Sequence, residues 1–327
     1  MPWASPVSEF HKILKRPLKT FNSPPQLWID KSDANARIER LYDEKRISAF
    51  EADQLIHFKE EGYVIFPNVI ADDLVNQLLD DLGKLHTKGE DYLLRMPKGE
   101  VINPYAEVNP PKSRLLDIYV NNEAARNIAL VAPITRFLSL LYEEPPQLFQ
   151  SLLFTWGTEH SIHTDNAYIV CDPPCTLIAC WFALENITPG SGELAFYPQS
   201  HRWPLFCFEN DRFEWHAKSD GKFAHMSYTK FLEDTAQNHG MPKYFMANKG
   251  DAILWHANLV HYGSKIQNEN VTRKSYLTHY CPGVSGKPKY FSFFDKAHKR
   301  EWNDGYYSSR RYDLRPGINN TLPVYKK

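Results

Sequence analysis

Residues 160 to 168 read HSIHTDNAY and bring two histidines and an aspartate into one short stretch. If the stretch is a strand, His163 and Asp165 project from the same face, because alternate side chains of a strand point the same way. An imidazole nitrogen and a carboxylate oxygen together suit Fe(II), Mn(II) or Zn(II). In such a strand His160 would point to the opposite face and not to the metal, so a position in a loop or a supporting role behind the ligands is favoured for it. The motif also fits an ordinary surface strand, so a metal site needs a third ligand from elsewhere.

The stretch GDAILWHANLVHYGS, residues 250 to 264, supplies two candidates for the third ligand, His256 and His261. His261 is favoured because it is nearer in sequence to Arg273 and is closely followed by Gly-Ser. His256 is then expected to pack, or to support the ligands from behind.

Arg273 begins a stretch in which strand alternation places Arg273, Ser275 and Leu277 on one inward face. A buried guanidinium without a partner is costly. Because its planar donors match a carboxylate, we expect Arg273 to bind an anion.

Two histidines and one carboxylate leave three open positions on a metal, as in non-haem Fe(II) oxygenases. Two other functions remain open on these residues. One is a cupin-like metal-binding protein without oxygenase activity, which would not need Arg273. The other is a zinc hydrolase with the same ligands, although no general base beside the metal can be identified.

The order His163-x-Asp165, a gap of about a hundred residues, His261 and then Arg273 resembles the Fe(II)/2-oxoglutarate-dependent dioxygenases of the phytanoyl-CoA dioxygenase (PhyH) family. Three further stretches match that family's pattern: FKEEGYVIFPNVIADDLVNQLLDDL, HTDNAY and CWFALENITPGSGELAFYPQSHR. The resemblance covers about residues 55 to 282. One departure is Tyr262, which follows the distal histidine where the family commonly has glycine and lengthens the spacing to Arg273 by one residue.

The resemblance implies a double-stranded β-helix that uses Fe(II), 2-oxoglutarate and O2, with ascorbate as the reductant in vitro. The metal ligands it implies are His163, Asp165 and His261. The cosubstrate contacts it implies are Arg273, Ser264, Gln150 and Trp181. Of these, Arg273 would bind the distal carboxylate of 2-oxoglutarate.

The implied reaction is hydroxylation of an unactivated C–H bond in a small-molecule substrate, either natural-product, lipid or amino-acid-like. Desaturation, epoxidation and ring formation remain alternatives, because they depend on where the substrate lies. Related halogenases replace the metal carboxylate with a small residue, so the presence of Asp165 disfavours halogenation.

The elements that hold these residues change type along the chain. Ser48, with Glu51 three residues later, is typical of a helix start, and the helix is expected to end at Gly62. Its predicted core-facing residues are Phe50, Leu55, Ile56 and Phe58. Further helices are predicted over about 35–45, 72–85 and 122–142, the last broken at Pro133, and a strand over 63–67.

After residue 146 the chain becomes rich in short β-branched and aromatic segments separated by turn residues. The predicted strands are 148–156, 163–171, 176–185, 193–198, 251–256 and 271–280. Helices followed by strands predict an α+β fold in which N-terminal helices buttress a jelly-roll, cupin-like core.

We expect an N-terminal arm over residues 1–47 and a single domain over 48–327. Within that domain we predict an insertion at about 201–247 and a C-terminal wrap at about 285–327, both as loops over one mouth of the barrel. These two segments, with the region 85–115, are expected to contact the substrate.

The composition excludes several partners. The 327 residues carry 38 Lys and Arg against 39 Asp and Glu, a formal charge of −1, which gives no global attraction to nucleic acid or anionic lipid. The longest apolar run is about half the length of a membrane span, and no signal peptide is apparent. We therefore expect a cytoplasmic monomer or homodimer without a membrane span or a nucleic-acid partner.

Overall fold

The computed structural model describes residues 20–21, 27–88, 93–95, 101–102, 114–288 and 298–309. About half of the predicted N-terminal arm, and most of the predicted C-terminal wrap and of the region 85–115, lie outside the described residues.

Helices dominate before residue 146 and strands dominate after it, as the sequence predicts. The helices are α1 (Ala34–Asp43), α2 (Ala49–Glu61), α3 (Asp72–Lys88), α4 (Glu123–Ala129), α5 (Ala132–Tyr142) and α6 (Gly221–Gln237). The strands are β1 (Thr20–Phe21), β2 (Tyr63–Phe66), β3 (Leu93–Arg95), β4 (Val101–Ile102), β5 (Arg114–Leu116), β6 (Pro146–Phe154), β7 (Cys171–Asp172), β8 (Ile178–Ala183), β9 (Leu194–Phe196), β10 (Leu205–Phe206), β11 (Lys243–Tyr244), β12 (Ala252–His256), β13 (His261–Gly263), β14 (Ser275–Pro282), β15 (Lys287–Pro288), β16 (His298–Trp302) and β17 (Gly305–Ser309).

Two sheets form the core of the fold. The larger has the order β2-β12-β8-β14-β6-β5-β3-β4, and the β16–β17 hairpin joins it where β17 pairs in parallel with β6. The smaller has the order β11-β9-β13. His163 extends it through a single antiparallel bridge to His261. The arrangement is an α+β fold with a jelly-roll core, as predicted.

Strand β8 shows how the sequence builds two cores from one sheet. All six of its residues are buried. Ala179, Trp181 and Ala183 face the space between the sheets, whereas Cys180 and Phe182 pack against the helices with Phe58 and Phe137. A strand covered on both faces reads as a continuous apolar run rather than an alternating one. The helices therefore buttress the larger sheet, as the sequence predicts.

Helix α2 begins and ends where its sequence predicts. Ser48 and Glu51 form a reciprocal capping box, and Gly62 ends the helix at φ 81°. The predicted core-facing set is half wrong: Leu55 and Phe58 are buried, but Phe50 is 67% and Ile56 is 38% exposed. At about 100° per residue, Phe50 and Ile56 lie off the narrow stripe that Leu55 and Phe58 share.

The predicted long helix over 122–142 is two helices, α4 and α5, bent by 51°. Pro133 lies in the first turn of α5, where the backbone N–H that proline lacks would have no partner within the helix. The break between the two helices therefore precedes the proline. Within the described residues no single helix is long and apolar enough to cross a membrane. Among the helices that the structure describes, the bent pair α4 and α5 passes that test jointly, by length and composition.

The sequence predicts loops over residues 201–247, and this prediction is wrong. The segment contains the 17-residue helix α6. Tyr228, Leu232 and Ala236 form its buried stripe and pack against Phe206 and Val260. Their four-residue spacing is the helical signal that the interspersed histidines and charges obscure.

Candidate active site

A cavity of about 340 Å³ opens between the two sheets. The residues that line it are Arg114, Gln150, Leu152, Phe154, Thr158, His160, Ser161, His163, Asp165, Tyr168, Ile169, Trp181, Leu194, His225, Trp255, His261, Tyr262, Gly263, Arg273, Leu277 and His279. Both sheets and α6 contribute to its wall.

His163 and His261 face each other across two antiparallel segments. Each donates its backbone N–H to the other's carbonyl, at 2.9 Å in both directions. The predicted strand 163–171 is wrong beyond this bridge, because Asp165–Ala167 is a short 3₁₀ turn. Its turn is closed by backbone N–H groups of Tyr168 and Ile169, which donate to the Asp165 carbonyl at 2.9 Å. The aspartate therefore reaches the histidines from a turn and not by strand alternation.

Three ligand atoms, one each from His163, Asp165 and His261, lie within 4.8 Å of one another. The Nε2 atoms of His261 and His163 lie 3.6 and 4.0 Å from Oδ1 of Asp165. This is a separation that one metal ion between them can bridge, since metal–nitrogen and metal–oxygen bonds are about 2.0–2.2 Å for ions of this class.

The imidazoles of His163 and His261 are oriented by their other nitrogens. Nδ1 of His163 contacts the Ser161 carbonyl at 2.8 Å, and Nδ1 of His261 contacts the Leu259 carbonyl at 2.9 Å. A proton on Nδ1 leaves the Nε2 lone pair for a metal. Burial lowers the pKa of each histidine from 6.5 to about 4, with the neighbouring His261 adding to the shift at His163. Both are therefore neutral at physiological pH, as metal ligation requires.

The carboxylate of Asp165 is held by Trp255, whose indole N–H donates to Oδ2 at 2.8 Å. Oδ1 is thereby left on the side of the imidazoles. Helix α6 holds the same turn from outside the cavity, because the Tyr228 hydroxyl accepts the backbone N–H of Thr164 at 2.8 Å. Helix α6 thus positions Thr164, the residue between His163 and Asp165.

Arg273 is 3% exposed and directs its guanidinium into the cavity. One Nη donates to the Gly192 carbonyl at 2.9 Å, and Nε has no partner among the described residues. The Phe154 and Trp181 rings lie 5.7 and 5.8 Å from the guanidinium carbon. Burial lowers the pKa of Arg273 to about 10, which still leaves it charged.

The other predicted cosubstrate residues differ in position. Gln150 and Trp181 line the cavity. Ser264 does not, and its hydroxyl donates to the Glu193 carboxylate at 2.5 Å. His256, the competing third ligand, is buried on the opposite face of β12, 3.5 Å from the Asp30 carboxylate. The structure therefore places His261, and not His256, beside His163 and Asp165. These three residues form the candidate metal group.

Comparison with known proteins decides the family. The family model described as phytanoyl-CoA dioxygenase (PhyH) matches residues 58–275, well over half of the chain. The chain belongs to the PhyH family. The PhyH chain is also 21% identical to the peroxisomal phytanoyl-CoA dioxygenase of Rattus norvegicus over 249 residues, covering 70% of this chain and 69% of that protein. The protein is accordingly an Fe(II)- and 2-oxoglutarate-dependent oxygenase.

Solved structures share the PhyH fold at low sequence identity. EctD from S. alaskensis with bound Fe has a TM-score of 0.57 at 18% identity, covering 83% of this chain and 86% of that one. The carbocyclase SnoK from nogalamycin biosynthesis, described as non-haem and α-ketoglutarate dependent, has a TM-score of 0.52 at 16% identity, covering 73% and 85%. These likenesses confirm the fold.

Sequence reasoning missed two histidines of the PhyH site. His160 lies in the loop 157–161, as the sequence favours, but it was not assigned to the cavity. Its ring centroid lies 6.1 Å from that of His163 in the same cavity. Arg114 donates to Nε2 of His160 at 2.7 Å.

His279, on β14, is the other missed residue. Its Nε2 lies 3.9 Å from Oδ1 of Asp165, and burial lowers its pKa to about 4. The signal was present in the sequence. The alternation that turns Leu277 inward turns His279 inward as well.

Proposed function

We propose that this oxygenase hydroxylates an unactivated C–H bond of a small molecule, with iron held by His163, Asp165 and His261. The observation that carries the proposal is the convergence of these three ligand atoms beside a buried, charged Arg273 in one cavity.

The donor set fits Fe(II). Two neutral imidazoles and one carboxylate form the facial arrangement that non-haem iron oxygenases use, and the remaining positions would face the cavity. Each imidazole is fixed through Nδ1, and the carboxylate is fixed by Trp255, so the ligands are oriented before any metal binds.

Arg273 would bind the distal carboxylate of 2-oxoglutarate. Its buried Nε, for which the described part of the chain offers no partner, is suited to a charge-assisted hydrogen bond. Trp181 and Phe154 flank the guanidinium and would cover the hydrocarbon part of the cosubstrate. Glu193, which accepts the Ser264 hydroxyl, stabilises the positive charge of Arg273 from behind.

When bound, Fe(II) with 2-oxoglutarate and O2 supplies an oxidant that breaks a C–H bond, with release of succinate and CO2. The protein's own contribution is to orient the reactants and exclude water. Leu152, Ile169 and Leu277 provide apolar wall for this purpose.

The substrate is proposed to be natural-product, lipid or amino-acid-like. One solved relative in fold, EctD, is described with 2-oxoglutarate and 5-hydroxyectoine, and others as a carbocyclase and an epimerase. Fold therefore does not choose between hydroxylation and the alternatives of desaturation, epoxidation or ring formation. A cytoplasmic location and a monomeric or homodimeric state stay predictions.

The test is coupled turnover. Purified protein with Fe(II), ascorbate and 2-oxoglutarate is incubated with candidate substrates while succinate and O2 uptake are measured. We expect a substrate that raises both together and gains one oxygen atom by mass spectrometry. A product two hydrogens lighter would indicate desaturation or ring formation instead. Hydrolysis by the zinc-loaded protein without any succinate formation would contradict the proposal.

A further inference from the structure

His279 has an unused hydrogen-bonding capacity beside the metal group. It is 1% exposed, it lines the cavity, and neither ring nitrogen has a hydrogen-bond partner among the described residues. A buried polar group left without a hydrogen-bond partner destabilises the protein, so a side chain of this kind is expected to meet a partner when the site is filled.

The neighbour of His279 across the sheet has the same property. Gln150 on β6 pairs in register with His279, is also buried, and its side-chain oxygen has no partner among the described residues. A glutamine amide can present its carbonyl or its NH₂ group by rotation. Ala179 lies on the other side of His279, and its small side chain leaves the imidazole accessible from the cavity.

His279 differs from the two candidate metal ligands. In His163 and His261, Nδ1 contacts a backbone carbonyl, and this contact orients Nε2 toward the proposed metal position. Nδ1 of His279 makes no such contact with the described residues. The group of ligand atoms that lie within 4.8 Å of one another does not include His279. A fourth protein ligand would also leave only two open positions, too few for a chelating cosubstrate and O2. His279 is therefore placed to contact what the metal binds.

Three inward-facing side chains on β14 and just before it follow one another in an order that matches the groups of a dicarboxylic 2-oxo acid. Arg273 supplies a charge, Leu277 an apolar side chain and His279 a polar group, all lining the same cavity. A dicarboxylic 2-oxo acid has the same order: a charged end, methylene carbons and an oxo acid end.

We propose that His279 donates a hydrogen bond to the oxo acid carboxylate of 2-oxoglutarate, with Gln150 beside it. The inference rests on the proposed function of the same site. It adds a residue that holds the metal end of the cosubstrate, opposite Arg273 at the distal end.

The test separates the two ends of the cosubstrate. Under anaerobic conditions, 2-oxoglutarate and 2-oxobutyrate, which lacks the distal carboxylate, are titrated into Fe(II)-loaded protein, and chelation is followed by its charge-transfer absorption band. We expect His279→Phe to weaken binding of both acids at least tenfold, and Arg273→Gln to weaken only 2-oxoglutarate. His279→Gln, which keeps a donor, should retain part of the affinity.

A matched control is His225→Phe, the same exchange at another histidine of the cavity, which should leave both affinities within twofold. Fe(II) affinity, measured separately, should be unchanged in His279→Phe. In the wild-type protein loaded with Zn(II), 2-oxoglutarate should slow exchange of one further imidazole N–H proton in the NMR spectrum, a result that needs no variant.

Three outcomes would overturn the inference. Unchanged affinity for both acids in His279→Phe, with the wild-type band present, would refute it and leave the proposed function standing. A loss of Fe(II) affinity as large as that of His261→Ala would make His279 a metal ligand. Absence of the band in the wild-type protein would refute the proposed function together with the inference.

Discussion

Trp255 donates its indole N–H to Oδ2 of Asp165 at 2.8 Å, and Oδ1 of the same carboxylate lies 3.6 Å from Nε2 of His261. The bond joins β12 of the larger sheet to the turn that carries Asp165. Because the tryptophan occupies one oxygen, the other is fixed toward the imidazoles. The orientation of the Asp165 carboxylate thus depends on Trp255, which is not one of the proposed metal ligands.

Replacing this tryptophan tests that dependence. Trp255→Phe keeps an aromatic ring but removes the N–H, and groups that orient metal ligands are typically worth 10–100-fold in metal affinity. We expect Fe(II) affinity to fall about tenfold or more in an anaerobic competition titration. Trp181→Phe is the control, since the Trp181 ring lies in the same cavity beside Arg273. Equal affinities in both variants would contradict the orienting role of Trp255.

Arg273→Gln tests the anchor for the distal carboxylate. A hydrogen bond to a charged group contributes about 1.5–3 kcal/mol, and each 1.4 kcal/mol is a factor of ten. The apparent KM for 2-oxoglutarate should therefore rise at least tenfold, with a smaller change in kcat. Ser264→Ala is the matched control, because its hydroxyl contacts Glu193 outside the cavity. It should lower the melting temperature and leave that KM nearly unchanged, and the reverse pattern would assign the anchor to Ser264.

Tyr228→Phe tests whether helix α6 positions the metal turn. The substitution leaves the buried N–H of Thr164 without the hydroxyl that accepts it, at a cost of about 1–3 kcal/mol. We expect a lower free energy of unfolding in urea and weaker Fe(II) binding. Tyr168→Phe, which removes the contact of a less buried hydroxyl with His225, should have the smaller effect on Fe(II) binding. Loss of stability with no change in Fe(II) affinity would limit α6 to a packing role.

The buried histidines predict how stability of the metal-free protein depends on pH. The pKa values of His163, His261 and His279 are lowered by burial from 6.5 to about 4. Between these values the unfolded chain binds more protons than the folded one, so stability falls as pH decreases from about 6.5 toward 4. Urea denaturation across this range should show the fall, and His279→Phe should make it shallower. A flat profile would show that these imidazoles already carry their protons in the folded protein.

The metal group, Arg273 and the jelly roll could be expected from sequence because they depend on residue order and on strands buried on two faces. The path of the chain between His163 and Asp165 could not be predicted. The spacing of two residues fits a strand, but in the structure His163 forms a single β-bridge and Asp165 begins a 3₁₀ turn. That turn depends on contacts from β12 and α6, which are distant in sequence.

His160 and His279 differ in what strand alternation can predict. His160 lies in a loop, as the sequence favoured, so alternation could not show that it lines the cavity, whereas alternation does hold for His279 because β14 is regular from Ser275 to His279. The periodicity of α6 was readable from residues 228, 232 and 236. Its role in holding Thr164 was not, because a hydrogen bond between residues 64 positions apart leaves no local pattern.

The proposed function requires that His163, Asp165 and His261 share one iron, and anaerobic Fe(II) titration tests this most directly. The wild-type protein should bind one Fe(II) per chain, Asp165→Ala and His261→Ala should lose that tight binding, and His256→Gln should keep it. Full Fe(II) binding by His261→Ala, or its loss in His256→Gln, would contradict the account.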